Sequence, residues 1–248
     1  MSELRFALRV FLRDPRFAAV ALLPLALGIG VNAAVIGLVD ALLLRPMPGI
    51  TASRLVWISA VERGAVGRTG LAFQDIEDLR SGTAVFEEVA GFRGVFLNLS
   101  EGSAPERIPG QVVTGNFFQA LGVRPAAGRW FLPQEGTPSA SEAVAVVSYG
   151  FWQGRLGGQA SALGRRLTLN GSDFTIVGVA PARFVGVTMA DRPPEVWIPA
   201  PAAAAAFHEE ELLTSRQAAV FEALGRLRPD VSAAAAAGPL RQAAARAA

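Results

Sequence analysis

The 248-residue sequence contains no cysteine, no lysine and a single histidine, His208. Without cysteine there is no disulfide, no thiolate nucleophile and no zinc–cysteine site. Without lysine there is no Walker A loop, no Ser-x-x-Lys nucleophile and no Schiff base, so any ATP involved must be held by another chain. All 23 basic side chains are arginine; 21 acids leave a net charge of +2, too small to suggest a nucleic-acid partner. No cofactor is expected on this chain.

What the sequence has in excess is apolar length. Phe17 to Val39 reads "FAAVALLPLALGIGVNAAVIGLV", 23 residues without a charge. Inside it, "GIGVNA" matches the dinucleotide pattern G-x-G-x-x-A. That fingerprint requires a buried strand before it, a helix opening on it and an acid about 20 residues on. The flanks are too long for a strand, and Asp40 comes too early for the ribose role. A helix needs about 20 apolar residues to cross the hydrocarbon core, and this run supplies them. Residues 16–44 are therefore expected to form a transmembrane helix. Arg5, Arg9, Arg13 and Arg16 precede it, which places the amino terminus in the cytoplasm and the remainder outside. A cleaved signal peptide is the competing interpretation, but its apolar region is shorter and ends in a small-residue cleavage site.

Residues 1–15 place Leu4, Leu8, Phe11 and Leu12 on one helical face beside an arginine strip, the pattern of a helix lying in the lipid interface. Within the span, Ala26, Gly30, Ala34 and Gly37 form a small-residue strip, with Asn32 able to hydrogen-bond across it. Such strips allow close approach of another helix.

Residues 45–248 alternate strand and helix signals, and the fold expected is α+β: the membrane helix, then a mixed α/β extracytoplasmic domain of two subdomains. Strands are expected at "RLVWISAV", "FRGVFLNLS", "ERIPGQVVTG", "AVAVVS", "EVWIP" and "AVFEALGRLRP". Helices are expected at 72–82, "NFFQALG", "YGFWQGRLGG", 200–213 and the alanine-rich terminus, the last interrupted at Gly238–Pro239. Asn170–Gly171 between two apolar runs predicts a tight hairpin.

Catalytic candidates are few. Ser148, in "AVVSYGFW", sits where a nucleophile elbow would, yet position 146 is valine where that motif needs glycine, and His208 would have to reach it. Leu212 occupies the place of a second helical metal ligand after His208. Asp75, Glu77 and Asp78, with Arg80, read as the polar face of a helix. A membrane-anchored serine hydrolase is the least favoured reading.

The order of segments resembles the opening of MacB/FtsX-like ABC transporter permeases. The similarity runs through "LRFALRVFLRDPRFAAVALLPLALGIGVNAAVIGLVDALLLRPMP", "DLRSGTAVFEEVAGFR", "RIPGQVVTGNFFQALGVRPAAGR", "VAVVSYGFWQGRLGG", "GRRLTLNGSDFTIVGVAP" and "PEVWIP". The resemblance implies a permease subunit of the inner membrane without catalytic residues, whose extracytoplasmic core domain acts on an exported substrate or partner protein. It implies mechanotransmission from a separate cytoplasmic ABC ATPase. It also implies that other permease helices, or a second permease copy, pack against the first helix within the lipid. The family pattern continues with further membrane helices carrying the ATPase-coupling surface. This sequence ends at Ala248 without a second apolar run of spanning length, so it is expected to correspond to the amino-terminal portion of that pattern. The alternative is a single-pass scaffold that binds a partner without any ATPase.

Overall fold

Short runs of β-branched and apolar residues separated by glycine, proline and polar turns account for most strands of the molecule. The computed structural model describes residues 26–30, 32, 50, 54–60, 69–100, 105–138, 142–187 and 192–247. The chain divides into two compact units, Met1–Met47 and Pro48–Ala248.

In the first unit, residues 26–30 and 32 are helical and exposed, Leu27 at 68% and Ile29 at 62%. Among the described residues no helix is long and apolar enough to cross a membrane. Residues 1–15 and most of the expected span 16–44 lie outside the described set.

The second unit is built on β1 (Leu55–Ile58), β2 (Phe86–Leu99), β3 (Glu106–Val113), β4 (Ala127–Gly128), β5 (Val144–Val147), β6 (Arg166–Leu169), β7 (Ser172–Val179), β8 (Val196–Pro199) and β9 (Glu222–Leu227). These nine strands belong to one sheet, ordered β1-β9-β2-β3-β8-β5-β7-β4, with β6 pairing both β2 and β7. That double pairing closes a ring: β2-β3-β8-β5-β7-β6 and back to β2. The β6–β7 hairpin turns at Asn170 and Gly171, with φ of 49° and 83°, as the Asn-Gly pair predicts.

Alternation along the strands sends side chains to two cores. Leu97, Leu99, Ile108, Leu167, Phe174 and Ile198 share one. Phe92, Val113, Val146 and Trp197 point to the other, where they meet Phe117, Phe118 and Phe184. The central strand β5 is buried at every position because it serves both cores. Two subdomains were expected from the order of elements; the second unit holds two apolar cores on one shared sheet. Strands from both halves of the sequence interleave in one sheet and bury an apolar surface on each side.

The helices are α1 (Phe73–Gly82), α2 (Phe117–Ala120), α3 (Tyr149–Arg155), α4 (Ala200–Phe207), α5 (Glu211–Thr214) and α6 (Ala233–Ala247). Helix α1 buries Phe73, Ile76 and Leu79 at three-residue spacing. The Asp75 carboxylate accepts from Ala72 N–H at its start, 3.2 Å.

The helix expected over 200–213 is divided, because His208 takes a left-handed conformation (φ 56°) that ends α4 before α5 begins. The expected break at Gly238–Pro239 is absent and α6 runs through Pro239. Ala236 is buried and Leu240 is half-buried against the core on either side of the proline, so packing holds the helical path.

Candidate functional site

Ser148 lies at the β5–α3 junction, and its hydroxyl accepts from Phe151 N–H at 3.1 Å, capping α3. It lines a hollow of about 750 Å³ with Pro109, Phe184 and Pro194. His208 lines a different hollow, of about 580 Å³, with Phe96, Asn170 and Phe207. The structure does not bring serine and histidine into one site, and the serine has a capping role that needs no catalysis.

The carboxylates of α1 are engaged by arginine. Arg216 donates to Asp75 at 2.5 Å and to Asp78 at 2.6 Å, tying α1 to the segment before β9. Glu77 pairs with Arg80 at 2.7 Å. Burial pushes the Glu77 carboxyl up, with Arg80 opposing and Asp78 assisting. This face lines a hollow of about 1060 Å³ together with Glu87, Glu88, Asn116 and Phe131. Among the described residues, no three histidine, aspartate or glutamate side chains are grouped to hold a metal ion.

Three polar arrangements carry more of the local order than composition indicates. Arg129 and the buried Glu135 form a bidentate pair at 2.9 and 2.7 Å, and Leu132 N–H donates to the same carboxylate at 2.7 Å. Burial alone would raise the Glu135 carboxyl; the Arg129 and Leu132 hydrogen bonds reverse this and hold it below the ordinary range. Trp197 Nε1–H donates to Gln111 at 2.8 Å, and Gln111 donates onward to the Val187 carbonyl at 2.8 Å. Asn116 donates to Glu88 at 2.7 Å and accepts from the Thr114 hydroxyl at 2.9 Å, joining α2 to β2 and β3. In the sequence only the acid inside "LPQEG", a polar residue at a turn, hinted at any of these.

Further arginines join distant elements. Arg155 of α3 grips Glu106 of β3 at 2.7 and 2.6 Å, and that hydrogen bonding lowers the exposed Glu106 carboxyl. Arg93 of β2 reaches Glu209 at the α4–α5 corner, 2.7 Å. Such contacts fix surfaces rather than activate a nucleophile, and the exposed ones contribute little stability singly. The geometry suits a body that presents shaped faces.

A family-wide sequence profile describing the MacB-like periplasmic core domain matches residues 18–243. The chain belongs to that family. The periplasmic region of MacB from Actinobacillus actinomycetemcomitans superposes with a TM-score of 0.57 at 15% identity, covering 80% of this chain and 86% of that one. A domain described as that of a permease protein from Porphyromonas gingivalis gives 0.54 at 16% identity, covering 82% and 84%. At these identities the likeness concerns the fold. Comparison with curated proteins yields no match.

Of the helix-packing candidates, Ala26, Gly30 and Asn32 are helical and exposed, and a Cβ added at Gly30 meets nothing within 4 Å. Ala34 and Gly37 lie outside the described residues.

Proposed function

We propose that this MacB-like protein belongs to the permease of an ABC transporter, anchored in the inner membrane by residues 16–44 with its amino terminus in the cytoplasm. Its Pro48–Ala248 unit stands on the extracytoplasmic side and acts on an exported substrate or partner protein. A separate cytoplasmic ATPase binds the ATP and drives it. Other permease helices, or a second permease copy, pack on the strip of Ala26, Gly30, Asn32, Ala34 and Gly37.

Support comes from the profile match, which starts within the uncharged run and continues to α6. It joins that run and the folded unit in one family pattern, and the 23 residues from Phe17 to Val39 suffice for a lipid-spanning helix.

Membrane fractionation and a reporter fused after residue 240 test the topology. Retention through carbonate washing and reporter activity outside the cytoplasm are expected. Release by carbonate, or a cytoplasmic signal, overturns the anchored arrangement. Co-purification of an ATP-binding subunit tests the coupling, and its failure with the topology intact favours a single-pass scaffold.

A further inference from the structure

The long strand β2 changes partners along one edge. Its first half pairs with β9 as far as Phe92, opposite Glu222. Its last residue, Leu99, pairs with Leu169 of β6. Between these points, among the described residues, no strand lies along that edge. The opposite edge is fully occupied, with Phe92 to Leu99 in regular register with β3.

The direction of the backbone groups follows from Asn98. Its N–H donates to the Asn170 side chain at 2.8 Å, and its carbonyl accepts from Asn170 N–H at 2.9 Å. Asn98 therefore faces the β6 side. In a regular antiparallel ladder this direction alternates, so Phe96 and Gly94 turn their N–H and C=O groups into the same gap. Gly94 and Phe96 are exposed, and a Cβ at Gly94 would meet nothing within 4 Å. The opening from Arg93 to Leu97 is about 16 Å long at roughly 3.3 Å per residue. Its far wall is the α4–α5 corner, where Phe207, His208 and Glu209 line a hollow of about 580 Å³.

We propose that this gap is a strand-addition site for an extended peptide segment of a partner protein, one that alternates apolar and acidic side chains. Its backbone pairs with Gly94 and Phe96 of β2. The apolar requirement comes from the face of Val95, which with Phe207 lines the hollow and packs against the first core, opposite to the face of Phe96. The acidic requirement comes from Arg107, whose guanidinium lies 4.2 Å above the Phe96 ring. Among the described residues no carboxylate pairs with Arg107, whereas the other arginine at the gap, Arg93, is neutralised by Glu209. A partner carboxylate beside Arg107 completes the charge balance, and edge pairing is a recurrent mode of peptide recognition. The site stands whether or not an ATPase drives the chain.

The test uses the full chain in detergent micelles and a fluorescent peptide alternating glutamate and valine. Saturable binding is expected, with slower amide exchange at Gly94 and Phe96, and weaker binding of the matching lysine–valine peptide. Gly94→Pro removes the outward N–H and leaves the β3 ladder untouched, so binding falls about five- to tenfold. Arg107→Glu reverses the preference between the two peptides. Unchanged exchange at Gly94 and Phe96 under saturating peptide overturns the proposal, as does equal affinity for both peptides. Binding by Gly94→Pro at the original affinity, with its thermal unfolding unchanged, overturns it too. The exchange measurement on the unmodified chain decides the matter if that variant does not fold.

Discussion

Replacing Phe118 by alanine removes the hub of the second core. The ring is fully buried and touches five other aromatic rings. Trp130 stacks on it at 4.0 Å and 7°, and Phe117, Phe131, Phe184 and Trp197 surround it at 5.3 to 5.8 Å. A buried phenylalanine truncated to alanine costs about 3–5 kcal/mol, and each aromatic pair adds ~0.5–1.5 kcal/mol beyond area. The surrounding rings come from α2, β8 and two loops, so they cannot all relax toward the void. The upper end, about 5 kcal/mol, is expected, and the melting temperature of a unit this size falls by about 10–20 °C. Denaturant unfolding followed by tryptophan fluorescence reads this directly, since Trp130 and Trp197 both touch the ring. Phe96→Ala is the control: that ring is 57% exposed and its loss costs less than about 1 kcal/mol. If Phe118→Ala unfolds no more easily than Phe96→Ala, the aromatic cluster is not what holds the second core.

Glu135→Gln costs about 2 kcal/mol, because Arg129 and the Leu132 N–H lose a charged acceptor, and equilibrium unfolding measures it. The folded-state pKa of Glu135 is depressed, so its contribution is present above the ordinary carboxylate pKa near 4.5 and disappears as pH falls through the lower folded value. The Gln variant therefore shows a flatter loss of stability below pH 4.5 than the parent. Asn170→Gly keeps the positive φ but deletes the bond from Asn98 N–H, costing about 1 kcal/mol, whereas Asn170→Ala adds roughly another 1 kcal/mol of backbone strain; two thermal melts separate the effects. Gly115→Ala places a methyl 2.8 Å from the Gly136 Cα, backbone against backbone, and lowers stability by about 1–3 kcal/mol, read by denaturant midpoint.

Local signals located most elements. The Asn-Gly turn, the three-residue apolar spacing of α1 and the uninterrupted valines of β5 each express a single short-range rule, and each stands where the sequence places it. Long-range pairing was not legible. The start of β2 at Phe86 is masked by two glutamates, Glu87 and Glu88, which are tolerable in a strand here because Arg226 and Asn116 bind them. Nothing near Arg216 in sequence points to Asp75 and Asp78, more than 130 positions earlier. Gly238–Pro239 obeyed helix propensity in prediction and tertiary packing in the fold. The pairing of β6 with β2 rests on a single residue pair and three hydrogen bonds, too little to leave a pattern in composition.

The position of β9 sets a condition on how the protein is made. This strand, the last in chain order among the described residues, lies between β1 and β2, the first two. Until residues 222–227 have emerged, Ile58 and Val89 lack the neighbour that joins their strands into one sheet. Assembly of that side of the molecule thus waits until residue 227 is available. A chain delivered amino-end first would carry those apolar faces uncovered in the meantime, and would depend on holding factors until the missing strand arrives.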